Sequence, residues 1–424
     1  MPELSDAFVK KAFATVFILW IFVNIALIAH FWGAPQSSDP KTYMNIAARC
    51  FRAGEWYPNA SAVYSPYIWN PAFINFLILQ LKLFGTNDYN AVFNFIMNIG
   101  IVLEIFYLGR KYFSERVGFL ACTLYCLTYS NAFVTLSAGT EIPFLFLMLG
   151  GFCLCHSRKL ALLAAAGIIL ALANWTRPFL LIFAPSIIGL FIFEKRNVLN
   201  YAAVIIPYVL LTLIIGKCAY DRTGHFITQT TTSPINLIMT ANDSAYGGVA
   251  TSIFSDKNNI AYIENGEKLT FDERGKIWME RAVSWIKRNP GRYCALYVKK
   301  LFGLYAEDSW AERPILGNSA FIDAYFVQKN IPTSQFVAQL AIMALKSLTY
   351  YLAMLLFLYW IFANWRELFS KKILLFSVIV LGTALTCIFC VSSRYHYPMF
   401  FAIAIFAGAG LNGLISPNKQ SAKK

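Results

Sequence analysis

Residues 12–32 read AFATVFILWIFVNIALIAHFW, residues 33–40 read GAPQSSDP and residues 41–52 read KTYMNIAARCFR. The first stretch is apolar almost throughout and, at about 1.5 Å per helical residue, long enough to cross a hydrocarbon layer about 30 Å thick. Lys10 and Lys11 precede it, as in a signal peptide, but a secretory h-region is shorter and ends differently from Phe31-Trp32-Gly33, so it is read as a retained span. The last stretch changes period. Tyr43, Ile46, Ala47, Cys50 and Phe51 recur on one helical face, and Lys41, Asn45, Arg49 and Arg52 occupy the other. This predicts an amphipathic helix along the membrane surface, directly after a span.

The rest of the chain follows the same plan. Of 424 residues, 58% are hydrophobic and 14% charged, with a mean hydropathy of +0.53. Soluble domains carry nearly twice that charge, so a soluble enzyme, a disordered chain and a fibre are excluded. Apolar runs continue at 88–109, 117–136, 142–157, 160–176, 178–193, 198–216, 336–362, 373–391 and 399–415. They predict an all-α polytopic membrane protein with about ten spans, within a range of about 8–12. They lack the alternation of barrel strands.

The net charge of +14 would suit nucleic acid in a soluble protein, but no nucleic-acid motif accompanies it. Membrane topology and an anionic phosphate ligand account for it, so membrane lipids are expected partners and nucleic acid is not. Of nine cysteines, only Cys50, Cys218 and Cys294 lie outside apolar runs, which gives no disulfide framework, and no zinc spacing appears.

Basic residues cluster on alternate short connections, at Lys10/Lys11, Arg110/Lys111/Arg116, Arg158/Lys159, Lys195/Arg196, Arg366/Lys371/Lys372 and Lys419/Lys423/Lys424. Both termini are therefore expected in the cytoplasm, with 33–87 and 217–335 on the outer side. The chain divides into an N-terminal membrane module (1–220), the long outer connection (217–335) and C-terminal spans with a tail (336–424). Within the long connection, Thr270 to Glu273 has the form of a capping box ahead of Ile277, Trp278, Ala282, Trp285 and Ile286 on one stripe. Tyr293, Leu296, Tyr297, Leu301 and Leu304, with Lys299 and Lys300, repeat the pattern.

Ionisable residues in or beside spans are costly unless paired or wet, so their placement is informative. Asp39, Glu141 in Ser137-Ala138-Gly139-Thr140-Glu141, Arg177 in Asn174-Trp175-Thr176-Arg177, and Arg394 in Arg394-Tyr395-His396-Tyr397-Pro398 all fall on the outer side. Plainer readings exist: Asp39 before Pro40 as an N-cap, Glu141 as a helix start, and both arginines as interfacial anchors. His30 and His225 read as interfacial and loop residues. Glu104 and Lys346 read as helix–helix partners or snorkelling residues.

The first span and its Ser-Asp-Pro loop, the amphipathic helix, Ala53-Gly-Glu-Trp-Tyr-Pro58 and Tyr64-Ser-Pro-Tyr-Ile-Trp-Asn-Pro71 together resemble the GT-C polyprenyl-phosphate-sugar-dependent glycosyltransferases. The likeness is greatest to the branch of lipid A aminoarabinose transferases, protein O-mannosyltransferases and rhizobial galacturonosyltransferases, and it covers roughly residues 10–220, extending more loosely beyond. It implies a GT-C fold in the inner, or plasma, membrane and a part in cell-envelope glycan synthesis. The donor would be a polyprenyl-phosphate sugar and the acceptor a glycan, lipid or protein. By the same resemblance Asp39 matches the acidic residue of the first outer loop, acting as base or at the catalytic centre, and Glu141 the second acidic residue of the cavity. Many aminoarabinose-transferase-like members carry Glu-Lys-Pro where this chain has Trp69-Asn70-Pro71, a departure that removes a possible metal-ligand carboxylate and a lysine. The resemblance points to no certain cofactor and leaves a divalent metal open.

The chemistry of sugar transfer from a lipid phosphate asks for a base and a cation. Arg394 is assigned to the donor phosphate, with Arg177 and His396 as helpers. Tyr64, Asn70, Asn242 and Asp243 are expected to contact sugar or acceptor. A polysaccharide polymerase and a lipid-linked sugar flippase or transporter are the rival readings.

Overall fold

The computed structural model describes residues 5–316 and 331–415. Lys419, Lys423 and Lys424, and residues 317–330 of the long connection, lie outside the described residues. The helices in chain order are α1 (Asp6–His30), α2 (Ser38–Arg52), α3 (Pro71–Phe84), α4 (Asn90–Tyr112), α5 (Glu115–Leu127), α6 (Tyr129–Phe133), α7 (Glu141–Cys155), α8 (Leu160–Thr176) and α9 (Leu180–Phe193). They continue with α10 (Val198–Thr223), α11 (Ser233–Ile238), α12 (Phe271–Arg288), α13 (Pro290–Tyr305), α14 (Arg313–Leu316), α15 (Thr333–Lys346), α16 (Leu348–Ala363), α17 (Ile373–Ile388) and α18 (Tyr397–Ile415). The all-α class holds, with no strand among the described residues.

The number of spans is lower than expected. Four helices are long and apolar enough to cross a membrane: α1, α4, α10, and α18 together with the turn Ser393–His396 that leads into it. Counting α5 with Tyr129–Leu136, bent by 69°, and α15 with α16, bent by 59°, as single spans gives six among the described residues. Helices α3, α7, α8, α9 and α17 have 14, 15, 17, 14 and 16 residues. At about 1.5 Å per residue they reach only about 21–26 Å, short of a hydrocarbon layer of about 30 Å. Hydropathy measured apolar runs that are broken or short as helices, so about ten spans becomes four to six among the described residues.

The break after α5 shows how such backbone is tolerated. Thr128 is extended (φ −71°, ψ 141°) and turns the chain out of the helix. The carbonyls this exposes are met by a face of α4 on which Asn90, Asn94 and Asn98, four residues apart, are all buried. Asn94 Nδ2 donates to the carbonyls of Thr135 (3.2 Å) and Ser137 (2.9 Å), and Asn98 Nδ2 to Asn131 Oδ1 (2.7 Å). Tyr125 Oη bonds Asn98 Oδ1 (3.0 Å) and Tyr397 Oη (2.8 Å). Irregular backbone survives inside an apolar bundle only with such internal partners. The ladder fixes the 134–140 stretch that delivers Glu141.

Helix α18 is the central element, buried without interruption from Tyr397 to Gly410. Its small residues allow close approach: a Cβ added at Gly410 would lie 2.3 Å from the Leu356 carbonyl oxygen on α16.

The apolar face of α2 is covered by protein rather than by lipid. Tyr43, Ile46, Ala47 and Cys50 are buried in one cluster with Phe73, Ile74, Leu77 and Ile78 of α3, while Phe51 stays exposed. The apolar stripe that predicts burial in the membrane surface is met by α3.

The long connection folds on itself. Thr270 and Glu273 form the capping box of α12, and Trp278, Ala282 and Trp285 pack with Ile238, Met239 and Ala261. On α13 the buried residues are Leu296, Lys300 and Leu304, so a lysine occupies the inner stripe while Leu301 is exposed. Backbone hydrogen bonds help fasten the connection to the rest of the protein. The Thr231 N–H donates to the Ile68 carbonyl (3.1 Å), and Cys390 and Val391 N–H groups donate to the carbonyls of Asn236 (3.3 Å) and Gly247 (3.1 Å).

Candidate active site

The segments after α1, after α10 and before α18 meet at one end of the bundle, and the site forms among them. At the start of α2, Ser37 donates its N–H to the Pro314 carbonyl (2.7 Å) and its hydroxyl to the Arg313 carbonyl (3.2 Å). Ser38 adopts a left-handed conformation (φ 57°), which an L-residue holds only under constraint. Asp39 follows in the first turn. The N-cap position belongs to Ser37, without a side-chain capping bond, so Asp39 is not the cap its sequence context suggested. Its carboxylate accepts from Nη2 of Arg394, which sits in the turn Ser393–His396, and the two side chains are 26% and 29% exposed.

A second pair lies deeper. Glu141 opens α7 and Arg177 closes α8, and they meet at 3.0 Å with side chains 9% and 7% exposed. A Cβ at position 139 would fall 2.5 Å from Glu141 Oε2, so Gly139 makes room for this carboxylate. The Arg177 guanidinium lies 5.4 Å from the ring centroid of Tyr395 and that of Arg394 5.2 Å from the same ring. Tyr395 thus joins the two ion pairs.

Tyr43 closes the group on the α2 side. Its hydroxyl donates to Asn70 Oδ1 (3.0 Å), and Asn70 Nδ2 donates to the Thr176 carbonyl (2.8 Å), next to Arg177. Burial first, and then the negative charge of Asp39, hold the Tyr43 phenol well above its ordinary pKa, so it is a hydrogen-bond donor and not a base. Trp69 packs edge-on against Tyr43 at 5.3 Å and also contacts Tyr67 at 4.8 Å. The cluster holds two carboxylates and two guanidiniums within reach of a partly open surface. It offers a proton acceptor and an anion-binding cation side by side.

Other candidate residues lie elsewhere. His396 is buried and turned the opposite way from Arg394: Nδ1 contacts the Leu304 carbonyl at 3.0 Å and Nε2 lies 3.6 Å from Asp308. The Tyr64 side chain is exposed, and its carbonyl accepts from Arg274. Asn242 is buried and knits the long connection, bonding the Ile238 carbonyl (2.8 Å) and the Ser244 N–H (2.9 Å). Asp243 accepts from Trp285 Nε1 (2.9 Å) and Arg292 (3.3 Å). Lys346 pairs with Glu312 at 2.6 Å, and Glu104 has one buried oxygen without a partner.

Sequence reasoning overlooked Glu307, Asp308 and Glu312, all buried. The signal was present: three acids within six residues around Trp310, ahead of a span that carries Lys346. Among the described residues no three of His, Cys, Asp and Glu gather as ligands, and Asp39 and Glu141 each face an arginine that a divalent ion would have to displace.

No family model and no curated protein matches the chain. Among solved structures it is similar to the Archaeoglobus fulgidus oligosaccharyltransferase in the apo form, at 12% identity over 97% of this chain and 52% of that one, with a TM-score of 0.46. The same protein tethered with an acceptor peptide containing the NVT sequon matches at 13% identity, 96% and 50% coverage and 0.46. Its complex with Zn and sulfate matches at 15%, 96%, 49% and 0.44. The chain spans about half the length of that protein.

Proposed function

We propose that this protein is an integral membrane glycosyltransferase that moves a sugar from a polyprenyl-phosphate carrier to an acceptor hydroxyl at the outer face of the cell membrane. The observation that carries this reading is the single cluster of Asp39, Arg394, Glu141 and Arg177 around Tyr43 and Tyr395, at one end of a bundle of apolar helices. The finer identity rests on the resemblance to the aminoarabinose, mannosyl and galacturonosyl transferase branch. It suggests an envelope glycan, lipid or protein as acceptor and an inner-membrane setting, while the basic residues on alternate short connections support both termini in the cytoplasm.

In the reaction the acceptor oxygen forms a bond to the anomeric carbon while the bond from that carbon to the phosphate oxygen breaks. The electron pair stays on the phosphate, and the acceptor proton passes to a base. Arg394 takes the phosphate oxygens and offsets the charge that grows on them. Asp39 takes the proton. Phosphate and Asp39 compete for one guanidinium, so arrival of the donor frees the carboxylate when it is needed. Arg177, neutralised by Glu141, backs Tyr395 and keeps Arg394 in place. Asn70 fixes Tyr43 beside Asp39, and exposed Tyr64 offers a stacking face to the acceptor. Asn242 and Asp243 shape the cover formed by the long connection.

The test is to identify the lipid that copurifies, then follow its sugar into candidate acceptors with the protein reconstituted. Transfer that depends on Asp39 supports the proposal. Movement of the intact lipid-linked sugar across the bilayer, with no transfer, would replace it with a transporter.

A further inference from the structure

The segment Glu307–Pro314 touches both sides of the Asp39–Arg394 pair. Glu307 and Asp308 are adjacent carboxylates with side chains 4% and 1% exposed, an arrangement that is expensive in an apolar bundle unless every oxygen is occupied. Glu307 Oε1 accepts from Arg313 Nη2 (2.7 Å) and from the Ser393 hydroxyl, while Oε2 accepts from the N–H (2.7 Å) and hydroxyl (2.6 Å) of Ser309. Asp308 accepts from the Ser130 N–H (2.9 Å) and faces His396 at 3.6 Å. The first residue of the turn Ser393–His396 is thus hydrogen-bonded to Glu307 and the last faces Asp308, and between them Arg394 pairs with Asp39 while the Tyr395 ring lies beside Arg394 and Arg177. At its other end the same segment holds Ser37, two residues before Asp39, through the carbonyls of Arg313 and Pro314.

We propose that Glu307 is a positioning residue for the transfer reaction: through Ser393 it fixes Arg394, and through Arg313 it fixes Ser37, so the distance between phosphate ligand and base is set by one short segment. This rests on Arg394 being the donor-phosphate ligand. A carboxylate serving only to fill a buried site would affect folding. One that positions Arg394 affects phosphate affinity through Arg394 alone.

The experiment measures binding of a polyprenyl phosphate without sugar to the full chain in lipid nanodiscs. The variants are Glu307→Gln and Ser393→Ala, each in the wild-type and the Arg394→Lys background. Ser393→Ala removes one hydroxyl and tests the contact should Glu307→Gln fold poorly. Each variant is expected to weaken binding about tenfold beside Arg394 and less than about twofold beside Lys at 394, the non-additivity of residues acting through one group. Equal weakening in both backgrounds, or none beside Arg394, would overturn the positioning role. If Arg394→Lys alone leaves affinity unchanged, the phosphate assignment itself fails, and that result is distinct.

Discussion

Asp39 and Arg394 lie 355 residues apart in the chain and meet as an ion pair at the surface of the helical bundle. Each masks the other: the carboxylate occupies the cation that a phosphate would bind, and the guanidinium engages Oδ2 of the carboxylate that would accept a proton.

Replacing Arg394 by lysine tests the planar fork. A lysine at a membrane interface snorkels as well as an arginine, so an anchoring role expects little change. An ammonium cannot bind phosphate oxygens bidentately, so donor affinity or turnover is expected to fall by about tenfold or more. Kinetics across donor concentrations on a normally inserted variant check this.

Glu141 and Arg177 are buried together, so removing one partner leaves an uncompensated charge. Arg177→Met alone is expected to destabilise the protein by about 3–5 kcal/mol, and the double variant Glu141→Gln/Arg177→Met by much less. Thermal unfolding of the two variants in the same detergent decides it. A double variant as unstable as the single one would show that the pair is not the source of the loss.

Much of this site was legible because charges in an apolar sequence are few and costly. Asp39, Glu141, Arg177 and Arg394 stood out for that reason. What the sequence hid was long-range contact. Tyr43 looked like one more apolar position on an amphipathic stripe, and nothing local indicates that α3 covers that stripe or that Asn70 bonds the Tyr43 hydroxyl. His396, two residues from Arg394, was grouped with it, although a turn sends successive side chains in different directions and its ring faces Asp308. Span number suffered for a related reason: hydropathy does not register a bend such as the one at Thr128, whose cost is met by asparagines on another helix.

Lys300 gives a pH dependence. Burial lowers its pKa from an ordinary 10.5 to about 8, and its ammonium donates to the Ile388 carbonyl at 3.3 Å. Between about pH 8 and 10.5 the unfolded chain binds the proton and the folded chain does not, so stability rises with pH through this window. Lys300→Met should flatten that rise and be the more stable form below pH 8. Melting at pH 7.5 and 9.5 checks both; a steeper rise in the variant would refute the assignment.

The proposed orientation places the long connection outside. Cys294 on α13 is exposed and should react with an impermeant maleimide in intact cells, whereas a cysteine introduced as Lys111→Cys should react only after lysis. The reverse labelling pattern would invert the topology and move the site to the cytoplasmic face.

The most direct measurement is donor binding and sugar transfer by Asp39→Asn, side by side in the same reconstituted preparation. Asparagine keeps the size and polarity of the side chain but cannot take a proton. Donor affinity is expected to equal or exceed that of the wild type, because Arg394 loses its competing carboxylate, and transfer to fall by about a hundredfold or more. Transfer at the wild-type rate by the folded variant would contradict this.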